Sequence, residues 1–130
     1  MTSYNELRRD CLEAERWNRL HPEETPRVPY LLQALDGVKT PIVASSDYMK
    51  VVVDQIVPWL PGRVETLGTD GFGRSDNREY LRKHFENNAE HIVYAAIARL
   101  AKDGKIEKGM AKSAITDLGI DAEKLDPQWA

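Results

Sequence analysis

Apolar residues recur at helical spacing through most of the chain and crowd into only two short runs. In "SYNELRRDCLEAERWNRLHP" the residues Leu7, Cys11, Ala14 and either Trp17 or Asn18 fall on one face, which predicts a helix. Ser3 is placed to cap its free amides, Glu6 three residues on completes a capping box, and Pro22 ends the run. "EETPRVPY" reads as a loop, because two prolines fix φ and push their neighbours toward extended geometry. "PYLLQALDG" fits a short helix with Pro29 in its first turn and Gly37 beyond its end. "PIVASS" is the first strand, short and bounded by Pro41 and serines. The valines of "DYMKVVVDQIVPWL" favour a strand. Met49, Val52, Val53, Ile56, Val57 and Leu60 nevertheless keep the helical period, and Asp47 stands at a capping position, so a helix is expected. "RVETLGT" is the second strand.

Three more helical stretches follow. Leu81, His84 and Phe85 share a face in "NREYLRKHF"; Ile92, Val93, Ala96, Ile97 and Leu100 do so in the next stretch, which Gly104 stops. Met110, Ala114, Ile115 and Leu118 do so in the last, before Gly119. Strands alternating with helices predict an α/β fold, a small mostly parallel sheet flanked by several helices, in one domain over residues 1–130. Two strands make a thin sheet, since parallel strands want both faces covered and a lone pair is marginal. Either further strands escape the pattern or the chain belongs to a larger sheet.

Composition narrows the function classes. With 130 residues, 42% hydrophobic and 30% charged, the chain suits one compact globular unit. A net charge of −3 supplies no basic footprint for nucleic acid or an anionic membrane. No apolar run approaches the ~18 residues of a membrane span. The start lacks the apolar core of a secretory signal, and Cys11 is the only cysteine, which points to a reducing, cytoplasmic setting.

The candidate site is Asp70-Gly71-Phe72-Gly73-Arg74-Ser75-Asp76, a glycine loop between a strand and a helix. It matches G-x-G-x-x-G at two glycines and places Asp76 where the third should stand. A carboxylate there repels the phosphate that such a loop would hold. Asp76 is instead expected to cap the following helix, with Glu79 three residues on. Walker and calcium-loop patterns are absent. His21, His84 and His91 lack metal-ligand spacing and no cysteine pair exists, so no metal site is expected. His84 reads as a hydrogen-bonded core edge, His91 as a solvated first-turn residue, and Cys11 as a small buried apolar group. Ser45, Ser46 and Asp47 lie at the carboxyl end of a strand, where open α/β sheets place ligands, but Asp47 as a helix cap explains them equally. No nucleophile, base and orienting group assemble from local spacing, and the G-x-S-x-G turn of a small hydrolase does not occur.

A resemblance carries further. "ERWNRLHPEETPRVPYLLQAL", "SSDYMKVVVDQI" and "LGTDGFGRSDNREYLRKHF" resemble the carboxyl-terminal end of the homodimeric bacterial pyruvate dehydrogenase first component, from about Thr2 to Ala130. The "GTDGFGRSD" loop is also similar to that of transketolases. Asn88 departs from the pattern, where the family usually has an aspartate. The resemblance implies a partial transketolase carboxyl-terminal-like domain that lacks its first strand, a helix and most of the next strand. It implies a parent that uses thiamine diphosphate and magnesium to decarboxylate pyruvate and reductively acetylates lipoyl groups of dihydrolipoyl acetyltransferase. The cofactor-binding Gly-Asp-Gly motif and the activating glutamate belong to upstream domains, so no catalytic, cofactor-binding or metal residue is expected here. The expected partners are those upstream domains, the dimer mate and the acetyltransferase. The competing expectation is a free-standing module that binds a small anion or nucleotide at the 70–76 loop.

Overall fold

The computed structural model describes residues 3–130; the start of the resemblance at Thr2 lies outside them. The first helix, α1, spans Tyr4–Leu20. Ser3 caps it by accepting the Glu6 N–H (3.2 Å), but the Glu6 carboxylate pairs with Arg9 (2.9 Å), so the expected reciprocal box is half built. α2 (Tyr30–Ala34) begins one residue later than expected, with Pro29 extended (ψ 153°) at the cap rather than inside the first turn.

β1 (Ile42–Ser45) and β2 (Val64–Leu67) pair in parallel, Ile42 opposite Val64 and Ser45 opposite Leu67. The single helix expected across 47–60 is divided. α3 covers only Val51–Asp54, and a 3-10 turn follows at Val57–Trp59. Pro58 explains the break. It lacks an N–H, and its ring would meet the carbonyl four residues back, which belongs to Asp54, the last α-helical residue. Asp47 does not cap α3. Lys50 occupies that position, and its N–H donates to Asp70 Oδ2 (3.2 Å).

α4 (Arg78–His84), α5 (Ala89–Lys102) and α6 (Lys108–Asp117) complete the chain. Asn88 caps α5 by accepting the His91 N–H (3.4 Å). One face of the sheet meets α1, α2 and the 3-10 turn. There Cys11, Leu31, Ile56 and Leu60 are buried together, with Leu7, Trp59, Ile42 and Val64 packed around them. α5 covers the other face and α6 packs on α5. None of the eight strand residues is fully buried, so the two-stranded sheet is as thin as the pattern implied.

Candidate functional site

The glycine loop leaves the carboxyl end of β2 and is fastened on two sides. Gly68 comes first and passes so close to the 48–50 segment that a Cβ would lie 2.6 Å from the Tyr48 carbonyl. Thr69 then donates its N–H to that carbonyl (3.0 Å) and its hydroxyl to the Asp47 carbonyl (2.8 Å). Asp70 holds the Lys50 N–H. Gly71 takes φ 117°, a conformation that side chains penalise, and a Cβ there would collide with the Pro127 carbonyl. Gly73 differs from expectation: its φ is not positive, and a Cβ would meet nothing within 4 Å. Only the first of the two glycines makes the sharp turn.

Residues 71–80 are all exposed, including Phe72, Arg74 and Ser75. Phe72 therefore finds no pocket within this domain. Asp76 is not the helix cap. Asn77 caps α4 by accepting the Tyr80 N–H (2.9 Å), and Asp76 accepts the Asn77 N–H (2.7 Å) one step earlier. Both oxygens fill amides that a phosphate would need. The hollow beside the loop, about 420 Å³, is lined by Asp47 and Asp76 as well as Arg74, Arg78 and Arg82. Carboxylates among the arginines make it a poor anion cradle.

A larger cleft of about 1030 Å³ opens beyond the carboxyl end of β1. Its floor is Asn87, buried in the turn between α4 and α5. The Ser45 hydroxyl donates to Asn87 Oδ1 (2.6 Å), and Asn87 Nδ2 donates to the Ser46 carbonyl (2.7 Å). The Asn87 N–H also donates to the Arg82 carbonyl (2.8 Å). Asn87 was missed in the sequence reading; a lone asparagine between two helical stretches gives no sign that it ties a strand end. Ser45 thus bonds an amide, not a base, and Asp47 pairs with Arg82 (3.5 Å). The cleft walls mix Arg78 and Lys83 with Glu79 and Glu90.

His84 is half-buried and meets Phe85 edge-on (4.8 Å), at the core edge as expected, yet its buried Nε2 has no hydrogen-bond partner. Burial, then the nearby Arg74 and Lys124 charges, lowers its pKa. His91 is half-buried rather than solvated; burial lowers its pKa too, and Nδ1 contacts Asn88 Oδ1. Cys11 is fully buried as expected, and burial raises its pKa and keeps it a thiol. Among the described residues no group of three histidine, cysteine or acidic side chains is disposed to hold a metal ion. None of their helices is long and apolar enough to cross a membrane.

A strand–glycine–helix corner without a reactive constellation defines an α/β domain that presents surface rather than chemistry. The family model described as the transketolase-like TK C-terminal domain matches residues 1–88, and the chain belongs to that family. It is 50% identical, over its whole length, to the pyruvate dehydrogenase E1 component of Escherichia coli K12, and 49% identical over 96% of its length to that of Pseudomonas aeruginosa. The Haemophilus influenzae E1 component is 46% identical over 98%. The chain spans only 14% of the length of each of these relatives.

Proposed function

We propose that residues 1–130 form one non-catalytic domain of a pyruvate dehydrogenase E1-type subunit. The observation that carries this reading is 50% identity along the entire chain to an E1 component of which the chain covers 14%. In the parent, thiamine diphosphate and magnesium would supply the decarboxylation of pyruvate, in the bacterial cytoplasm. The acetyl group would pass to lipoyl groups of dihydrolipoyl acetyltransferase. The residues present here do not fit that cofactor. A diphosphate-bound magnesium needs a convergent set of oxygen donors, whereas Asp70 is committed to the Lys50 amide and Asp76 to the Asn77 amide. The domain's part is structural: the Asp70–Asp76 loop, held from behind and exposed in front, serves as an interface element toward the rest of the parent and its dimer mate.

Titration calorimetry of this chain with thiamine diphosphate and magnesium tests the reading. Heat no greater than dilution is expected; saturable micromolar binding would overturn the non-catalytic assignment.

A further inference from the structure

Three segments far apart in sequence bring exposed apolar side chains to one face. Tyr48, Met49, Phe72 and Trp129 are 72%, 55%, 78% and 74% exposed. The backbone draws the segments together. Thr69 bonds the Tyr48 carbonyl, Asp70 bonds the Lys50 amide, and Gly71 lies against Pro127 and Gln128. The Trp129 N–H donates to the Asp126 carbonyl (2.9 Å), which fixes the last turn beside the loop.

We propose that this face is a self-association surface covered by a second copy of the same chain. The proposal goes beyond the E1 reading and does not depend on it. Area supports it. An aromatic side chain can bury about 150–250 Å², so three that are about three-quarters exposed offer roughly 350–550 Å² before Met49 is added. A stable interface takes about 800 Å² per partner with an apolar centre and a polar rim. The four side chains supply the centre and the loop supplies the rim. Charge supports it as well. A two-fold contact places one patch against itself and must be self-complementary. Segments 47–50 and 70–78 carry Asp47, Asp70 and Asp76 against Lys50, Arg74 and Arg78, so positive groups of one copy can meet negative groups of the other. The fastened backbone holds this face in shape before association, which spares ordering entropy.

Sedimentation of the 130-residue chain from low to several hundred micromolar tests the proposal, with far-UV circular dichroism to confirm folding of each variant. A reversible dimer is expected. Phe72→Ser and Trp129→Ser should each weaken it by about tenfold or more, while Leu20→Ser, an exposed apolar residue at the end of α1, leaves it unchanged. A wild-type monomer across the range would overturn the proposal and leave the rest of a longer chain as the cover. A dimer indifferent to Phe72→Ser and Trp129→Ser would also overturn it, pointing to pairing at a free sheet edge.

Discussion

Replacing Asn87 by alanine should destabilise the domain by about 2–3 kcal/mol. The side chain makes two short bonds, one from the Ser45 hydroxyl (2.6 Å) and one to the Ser46 carbonyl (2.7 Å). Each is worth about 0.5–1.5 kcal/mol net, and a buried partner left unpaired costs about 1–3 kcal/mol. The two partners are not equal. Ser45 is exposed and its hydroxyl can turn to water, so its loss is small. Ser46 is half-buried, and its carbonyl loses its Asn87 donor. The Asn87 main-chain bond to Arg82 survives in the variant. The clip also holds Glu86 at φ 58°, a conformation that costs a non-glycine residue energy. Urea unfolding at neutral pH measures the change, with the m-value as a check that the transition stays two-state. A loss under about 0.5 kcal/mol would refute the reasoning, because a buried amide serving two partners does not leave so cheaply.

Asn87→Asp sharpens the test. A carboxylate can accept from Ser45 but has no proton to give Ser46, and it buries a charge beside a carbonyl. Its penalty at neutral pH should exceed that of alanine. Burial raises the folded pKa of the introduced carboxyl above the ~3.9 of the unfolded chain. The penalty is therefore full at high pH and relieved as pH falls through the raised folded value, where the protonated acid donates to Ser46. A gap from wild type that is constant with pH would contradict the donor assignment.

Asn77→Ala should cost about 0.5–2 kcal/mol through the lost cap, and Asp76→Ala less than about 0.5 kcal/mol; denaturant midpoints in the opposite order would return the cap to Asp76. Gly71→Ala should lower stability by about 1–3 kcal/mol and Gly73→Ala should be neutral or slightly stabilising; equal melting temperatures would deny that Gly71 alone makes the turn. His84 and His91 have lowered folded pKa values, so below the model value of 6.5 the unfolded chain binds more protons than the fold. Stability should then fall as pH drops through that range, and the double change His84→Gln with His91→Gln should flatten the fall between about pH 7 and pH 5; an unchanged slope would assign it to other groups.

Much of this architecture was legible because it rests on local rules. The 3.6-residue period located α1, α5 and α6, Ser3 marked its cap, and two β-rich runs became the strand pair. The failures share a cause. Asp47 and Asp76 both stand where a capping aspartate belongs, and both were displaced by neighbours whose positions are tertiary facts. The amide at the start of α3 is served by Asp70, twenty residues away. At α4 the cap moved one residue, since Asn77 is extended and placed to reach Tyr80. Asn87 left no trace in periodicity because its partners lie more than forty residues away on β1.

The same distinction decides the glycine loop. Sequence offers glycines, an apolar residue, an arginine and an aspartate between strand and helix, and a phosphate cradle needs just that layout with its amides left free. Here the amides are not free. Asp76 takes the Asn77 N–H and Asn77 takes the Tyr80 N–H. Asp70, the remaining acid of the motif, reaches backward to start α3. Each polar group that could face a ligand is turned inward to hold the corner, while Phe72 is turned out. An apolar side chain held outward on a fastened loop gains about 1.5–3 kcal/mol when something covers it. That gain is available only to a partner surface, which is why the loop's chemistry belongs to assembly rather than to catalysis.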